Sequence, residues 1–111
     1  MSYIPKRGDI VWISFDPTLG HEQGGERPAI VISNTKYNDV TGMVINCPIT
    51  RQAKGYAGEI PLPKNLAITG VILADHIRNL DWCVRKIRFS GEQVSADFID
   101  TVLERLSVIC S

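Results

Sequence analysis

The feature that most constrains the fold of this chain is a change in the spacing of apolar residues near residue 95. Upstream, short apolar stretches rich in β-branched and aromatic side chains alternate with Gly, Pro and polar residues, which is typical of β-strands. Downstream, apolar residues recur at three- and four-residue spacing, which indicates an amphipathic helix. These positions are Phe98, Ile99, Val102, Leu103, Leu106, Ile109 and Cys110.

Ser95 is well placed to cap this helix, and the carboxylate of Asp97 complements the helix dipole. Strands are predicted over residues 9–15, 28–33, 43–49, 59–62 and 71–74. Residues 34–42 are expected to form a loop or a short helix, and residues 76–89 one or two further short elements. Short strands followed by one helix indicate a mainly β, α+β fold: a small β-barrel or curled sheet with the helix packed on it.

A chain of 111 residues is expected to form one domain, residues 1–111, with a single modest core. No apolar run approaches the ~20 residues of a membrane helix. The amino terminus lacks the basic-then-apolar pattern of a secretory signal, so we expect no membrane association and a cytoplasmic location. The three cysteines are an odd number without close pairing, which argues against a disulfide framework and a zinc site. Cys47, in an apolar stretch, is expected to act as a small hydrophobe.

The formal net charge is zero, but the charges are unevenly distributed. Residues 1–90 contain eleven Lys and Arg against eight Asp and Glu, whereas residues 91–111 contain one against four. The larger part of the chain is therefore mildly basic, which is a weak indication of a nucleic-acid partner.

Arg27 lies where a glycine-containing polar loop meets an apolar run. Pro28 favours extended geometry at Arg27, while Gly24 and Gly25 allow the loop to bend over a ligand. The guanidinium is then available to clamp a phosphate through planar, bidentate contacts. The alternative is a structural ion pair with Glu22 or Glu26.

Thr50 follows the third apolar strand and precedes Arg51. A hydroxyl at the end of a strand can donate to a phosphate oxygen, and Arg51 or Lys54 can add positive charge. The alternative is an ordinary strand threonine, since threonine is common in strands.

Other side chains suit proton transfer or base stacking. His21, His76 and Glu22 are candidates for acid–base chemistry, although an exposed loop histidine is the more frequent case. Tyr37 and Tyr56 can stack on unpaired bases, or simply pack. The two tryptophans, Trp12 and Trp82, are expected in the core or at an interface.

Several motifs together resemble the MazF/PemK family of endoribonuclease toxins. Residues 20–28, Gly-His-Glu-Gln-Gly-Gly-Glu-Arg-Pro, are similar to the signature loop of that family. Further matches occur in the right order at Arg7-Gly8-Asp9-Ile10-Val11-Trp12, Phe15-Asp16-Pro17, Pro48-Ile49-Thr50, Lys54-Gly55-Tyr56 and Leu73-Ala74-Asp75. Together they cover roughly residues 5–85, which is far more specific than any single motif.

The resemblance implies an SH3-like barrel of the CcdB/PemK type, closed by the C-terminal helix. It also implies that Arg27 and Thr50 are catalytic and that Glu22 contributes to activity. Residues expected to bind substrate are His21, Gln23, Gly24, Gly25, Tyr37, Asn38, Arg51, Lys54, Tyr56 and His76. His76 departs from the family pattern, in which glutamine is frequent, and is expected to alter base preference. The expected partners are single-stranded RNA, a second copy of the chain and a cognate MazE-like antitoxin.

The sequence contains no metal-ligand cluster with recognisable spacing, no phosphate-cradling glycine motif and no serine nucleophile elbow. If the chain is a sequence-selective endoribonuclease, as the resemblance implies, we therefore expect it to need no metal or cofactor. That leaves the route in which the 2′-hydroxyl of RNA attacks the adjacent phosphate. The products would be a 2′,3′-cyclic phosphate and a 5′-hydroxyl. Because an arginine rarely gives up its proton, Arg27 is interpreted as a charge clamp, and the base is left open between Glu22 and His21.

A second hypothesis is a barrel that binds without catalysis. It would be a nucleic-acid module or a poison of a protein target such as DNA gyrase, since similar folds serve both functions.

Overall fold

The computed structural model describes residues 3–15 and 25–111. The strands are β1 (Asp9–Phe15), β2 (Gly25–Val31), β3 (Met43–Thr50), β4 (Glu59–Pro61), β5 (Val71–Leu73), β6 (Arg78–Asp81) and β7 (Arg88–Gln93). The helices are α1 (Thr35–Thr41) and α2 (Ala96–Cys110), and a short 3-10 helix covers Ala74–His76. Of the helices described, none has the length and apolar character needed to cross a membrane.

The strands form one antiparallel arrangement in the order β4-β5-β3-β2-β1-β7. β3 is its centre: β2 pairs with one edge, while β6 and β5 pair with the two ends of the other edge. β4 lies at one end of the order, where Pro61 costs the sheet no hydrogen bond, as predicted for this strand. Within the part of the chain that the structure describes, β4 and β7 do not pair. The expected mainly β fold with a C-terminal helix is confirmed, but the sheet stays open and does not close into a barrel.

The central strands are apolar on both faces because each face packs against its own cluster of side chains. Ile10 of β1 and Ile30 of β2 belong to one cluster, and their neighbours Val11 and Val31 belong to the other. This confirms the prediction of a buried strand after Pro28. Each fully buried aliphatic side chain contributes about 1.5–3 kcal/mol, so the two clusters hold the strands together from both sides.

Helix α2 covers the first cluster and begins where the sequence predicted. The Ser95 hydroxyl oxygen accepts the backbone N–H of Phe98 at 3.1 Å, which caps the helix. Ile99 and Val102 are buried against the sheet. Apolar side chains remain on the outer side of the helix: Leu103 is 37% exposed, Ile109 41% and Val108 67%.

β2 begins earlier than the predicted residue 28. Its pairing with β1 continues from Ile10–Ile30 to Phe15–Gly25, so Arg27 lies inside a strand and not at its mouth. Pro28, which the sequence indicates as the start of the strand, lies within β2.

β7 was only partly anticipated. It extends to Gln93, beyond the predicted region 76–89, because it pairs with β1 with Gln93 opposite Asp9. A partner so distant in sequence leaves no local pattern. Residues 34–42, expected to be a loop or a short helix, form α1, which is capped by the side chain of Asn34.

Cys47 is fully buried in the first cluster, as expected of a small hydrophobe. Its burial raises the pKa of the thiol to about 12. Trp82 packs against the second cluster, and its indole N–H donates to the carbonyl of Asn38 at 2.8 Å. Trp82 therefore has the structural role predicted for it, although it follows β6 and does not lie within a strand.

Candidate active site

A cavity of about 680 Å³ opens where β2 and β3 end beside each other. Its walls come from β1, from β2, from the end of β3 and from the segment between β4 and β5. The lining residues are Trp12, Glu26, Arg27, Pro28, Ile49, Thr50, Arg51, Gln52, Ala67, Ile68 and Thr69. The cavity thus combines two arginines and several hydroxyl or amide groups with an apolar floor.

The sheet register brings Arg27 and Thr50 together. β2 and β3 pair at Ala29–Pro48, and the same register carried two residues further sets Arg27 opposite Thr50. Opposite residues of an antiparallel pair project from the same face. The Ile32 N–H donates to the Ile45 carbonyl, so by strand alternation the backbone N of Pro28 also faces β3. Because Pro28 has no N–H, hydrogen bonding between the two strands is reduced towards this end, where the cavity opens.

Arg27 is exposed, and the structural ion pair considered for it with Glu26 is not formed. The Glu26 carboxylate instead accepts two hydrogen bonds from Arg88, at 2.9 Å from Nε and 2.6 Å from Nη2. The hydrogen bonds from Arg88 lower the pKa of Glu26. Among the described residues, Arg27 has no carboxylate within ion-pair distance. Its guanidinium is therefore available for an anion in the cavity.

Thr50 ends β3 with its hydroxyl already oriented. The Oγ1 atom accepts the backbone N–H of Gln52 at 3.1 Å. Because the hydroxyl accepts that hydrogen bond, its own hydrogen is free to be donated to a ligand oxygen. Arg51, also exposed, follows on the same wall, so a guanidinium and a hydroxyl are available at the end of β3.

The Lys54–Tyr56 loop lies outside the cavity lining. The buried Glu59 carboxylate accepts the backbone N–H groups of Lys54 at 2.7 Å and Gly55 at 2.9 Å, which fixes the loop. The side chain of Lys54 is exposed, and Tyr56 donates its hydroxyl to Asp75 at 3.2 Å. His76 is also exposed, with Nε2 at 3.9 Å from the Asp75 carboxylate. The structure thus gathers Tyr56 and His76 around Asp75, apart from Arg27 and Thr50.

Tyr37 and Asn38 lie near the opposite end of β3. The Tyr37 hydroxyl accepts a hydrogen bond from Asn79, which pairs with Ile45. Ile45 is five residues from Thr50, or about 16 Å along a strand. Both side chains are thus placed away from the cavity.

Asn38 does not have the ligand-facing position expected from the resemblance. It is fully buried, and its amide donates to the carbonyls of Pro5 at 2.8 Å and Ser33 at 3.2 Å. Its Oδ1 atom accepts the hydroxyl of Ser33. Because every polar atom of the side chain is engaged inside the protein, Asn38 holds α1 to the N-terminal segment.

The predictions for His21, Glu22, Gln23 and Gly24 concern residues outside the described part of the chain. Gly25 is the first residue of β2, two positions before Arg27, and pairs with Phe15. Residues 3–15 and 25–111 contain no group of three or more His, Cys, Asp or Glu that could hold a metal ion.

Sequence reasoning missed several residues that shape the cavity. Trp12 was assigned to the core or an interface but also lines the cavity, with the Arg88 guanidinium 5.8 Å from its ring centroid. The wall formed by Ala67, Ile68 and Thr69 carries no recognisable motif. The register of β1 and β7 places Arg88 beside Trp12, and hydrogen bonds from Ala67 and Ile68 to Glu92 place the other wall.

The chain was compared with known proteins. A family model described as a PemK-like, MazF-like toxin of type II toxin–antitoxin systems matches residues 6–110. The chain is 38% identical over 107 residues to the endoribonuclease toxin MazF of Escherichia coli (strain K12), covering 96% of this chain and 95% of that protein. It is 37% identical over 110 residues to the endoribonuclease toxin ChpB of the same strain, covering 94% and 92%. It also resembles the solved structure of MazE-MazF (Form-II) from Deinococcus radiodurans, with a TM-score of 0.90, 45% identity and coverage of 98% and 97%.

Proposed function

Because this chain belongs to the PemK-like, MazF-like family of toxins of type II toxin–antitoxin systems, we propose that it is a sequence-selective endoribonuclease that cleaves single-stranded RNA without a metal ion. The observation that carries the proposal is the placement of Arg27 and Thr50 in one cavity, opposite each other in the continued register of β2 and β3. A protein that only bound a partner would not need an exposed guanidinium and a strand-end hydroxyl in the same cavity. The endoribonuclease activity of the relatives favours the same conclusion over a non-catalytic barrel.

In the proposed reaction, the 2′-hydroxyl of one nucleotide attacks its own 3′-phosphate. The new P–O bond closes a 2′,3′-cyclic phosphate, and the bond to the 5′-oxygen of the next nucleotide breaks, leaving a 5′-hydroxyl after protonation. The Arg27 guanidinium stabilises the charge that accumulates on the phosphorane oxygens, and the Thr50 hydroxyl donates to one of them. The proton of the 2′-hydroxyl goes to a base that we assign to Glu22 or His21.

The form of the cavity supports an unpaired substrate. A volume of about 680 Å³ accommodates a nucleotide that has left its stack. Its floor of Trp12, Pro28 and Ile68 offers apolar contact to a base, while Arg51 adds positive charge for a neighbouring phosphate. Gln52 and Thr69 on the walls supply hydrogen-bonding groups for base selection. Lys54, Tyr56 and His76 would meet the RNA beyond the cavity.

We also propose that residues 1–111 form a single toxin domain that acts in the cytoplasm as a homodimer and is inhibited by a MazE-like antitoxin. The match over residues 6–110 supports the single domain. The apolar outer side of α2, with Val108 67% exposed, supports burial against a second copy. Arg27 and Arg51 beside an apolar floor suit a flexible acidic antitoxin segment with an apolar anchor.

The proposal is tested by incubating the protein with a labelled single-stranded RNA in excess EDTA and analysing the product ends. We expect cleavage to persist and to leave a cyclic phosphate and a 5′-hydroxyl. Loss of cleavage in EDTA, restored by Mg²⁺, would overturn the metal-independent mechanism. Binding of RNA without any cleavage would favour the non-catalytic alternative.

A further inference from the structure

The strand β7 contributes none of the described residues that line the cavity, yet two of its charged side chains hold opposite walls of it. Arg88 reaches across β1 and binds Glu26 through two hydrogen bonds of 2.9 and 2.6 Å. Glu26 immediately precedes Arg27 in β2. On its way Arg88 passes the ring of Trp12, which limits the guanidinium to few orientations. A bidentate pair of this kind restricts the two strands more than a single contact between point charges.

The second wall is held by Glu92. Its carboxylate accepts the backbone N–H groups of Ala67 at 2.7 Å and Ile68 at 3.1 Å, both in the segment that connects β4 to β5 and lines the cavity. Two consecutive N–H groups bonded to one carboxylate fix the position of that backbone.

The same segment then rests against Thr50. Gly70 has a φ of +129°, and a Cβ built on it would lie 2.3 Å from the carbonyl oxygen of Thr50. Only glycine permits so close an approach in that conformation. The position of the segment held by Glu92 is therefore coupled to the end of β3.

These restraints act where β2 and β3 no longer pair with each other. The pairing of β2 with β3 stops at Ala29–Pro48, whereas Arg27 still pairs with Ile13 of β1 and Thr50 with Val71 of β5. The separation of these two residues therefore depends on contacts made from outside the pair. β7 is hydrogen-bonded to Glu26, which precedes Arg27, and to Ala67 and Ile68, whose segment approaches Thr50 closely at Gly70.

We infer that Arg88 and Glu92 are positioning residues that set the separation of Arg27 and Thr50 for RNA cleavage, an inference that rests on the proposed function. Neither side chain is required to touch the substrate. A displacement of about 1 Å between catalytic groups can lower a rate by on the order of a hundredfold. Removing one of the two restraints should lower the rate by less than this, so we expect kcat to fall about five- to twentyfold when either Arg88 or Glu92 is substituted.

The test for the first residue compares Arg88→Lys and Arg88→Met by steady-state cleavage of a single-stranded RNA. Arg88→Lys keeps the positive charge but loses the bidentate fork, so a positioning role lowers kcat in both variants while KM for Arg88→Lys stays close to that of the unaltered protein. Attraction of RNA by charge alone would raise KM in Arg88→Met and leave Arg88→Lys unchanged, which would overturn the inference. Lys36→Met, on exposed α1, is the control for removal of one positive charge.

The test for the second residue uses Glu92→Gln, with Glu104→Gln on the exposed side of α2 as its matched control. Glutamine has one acceptor oxygen where glutamate has two, so one of the two N–H groups loses its hydrogen-bond partner. We therefore expect kcat to fall and amide hydrogen exchange at Ala67 and Ile68 to accelerate several-fold. A purely structural role would change neither kcat nor KM once activity is corrected for the folded fraction. Unchanged exchange at residues 67 and 68 would overturn the proposed restraint, and unchanged kcat would overturn its catalytic role.

The two proposals fail in different ways. If the unaltered protein does not cleave RNA, the proposed function fails and the catalytic role of β7 fails with it. If the unaltered protein cleaves RNA and the Arg88 and Glu92 variants do so equally well, only the inference about β7 is refuted.

Discussion

The substitution Asn38→Ala separates a structural role of this residue from contact with substrate. The buried side chain makes three hydrogen bonds: its amide donates to Pro5 and Ser33, and its carbonyl oxygen accepts the Ser33 hydroxyl. Each such bond contributes about 1 kcal/mol net, and the removed atoms leave a small cavity. We therefore expect the free energy of unfolding to fall by about 3–4 kcal/mol, which lowers Tm by about 10–20 °C for a chain of this size.

The assay pairs urea and thermal unfolding, followed by circular dichroism, with cleavage of a labelled RNA at a temperature where the variant is folded. KM and kcat should match those of the unaltered protein, because Asn38 lies beyond the far end of β3 from Thr50. Asn79→Ala is the matched control, since this exposed side chain donates a hydrogen bond to the Tyr37 hydroxyl at 3.1 Å. The free energy of unfolding of Asn79→Ala should fall by less than about 1 kcal/mol. An unchanged Tm with a raised KM would refute the structural interpretation and would indicate that Asn38 contacts the substrate.

Three further predictions concern the cavity and the core. Arg27→Ala should lower the cleavage rate by on the order of 100- to 1000-fold, the scale for one donor to transition-state charge, with Tm unchanged; activity close to that of the unaltered protein would exclude this role. Duplex RNA and DNA of the same sequence should resist cleavage, since the bases of a duplex stay stacked and DNA lacks the 2′-hydroxyl, and equal cutting of all three oligonucleotides would contradict this. Burial raises the pKa of the Cys47 thiol to about 12, so a thiol reagent at pH 8 should label the exposed Cys83 and Cys110 and reach Cys47 only after unfolding. Because this pKa lies above the unfolded value of about 8.5, the buried Cys47 thiol stabilises the folded state fully below pH 8.5, and this stabilisation is lost as the pH rises towards 12. Rapid labelling of three thiols in the native protein would show that Cys47 is accessible.

The parts of the fold that the sequence predicted well are those with a strong local pattern. β1 is rich in β-branched and aromatic residues, α2 has apolar residues at three- and four-residue spacing, and Ser95 has the chemistry of a cap, so both elements were predicted to within a residue or two. Arg27 and Thr50 could be identified because Arg27 precedes one apolar run, Thr50 follows another, and both match a family motif. That the two residues lie opposite each other follows from the register of β2 and β3, which only the structure supplies.

The residues that sequence reasoning misplaced depend on partners far along the chain. Asn38 lies in a polar stretch that suggests a surface loop, yet it is buried by Pro5, 33 residues away. Arg88 and Glu26 are separated by 62 residues, and nothing local indicates that they meet. A polar side chain satisfied inside the protein and one available to a ligand have the same local sequence signature, so only tertiary contacts distinguish them.

The pairing of β7 with β1 has a consequence for biosynthesis. Asp9 lies opposite Gln93, so the first strand of the described sheet pairs with the last one to be synthesised. Contacts so distant in sequence also slow folding, because a long loop must close before they form. A chain truncated before residue 88 would contain Arg27 and Thr50 but would lack Arg88, Glu92 and helix α2. On the inference that β7 positions the cavity walls, we expect such a chain to cleave RNA poorly.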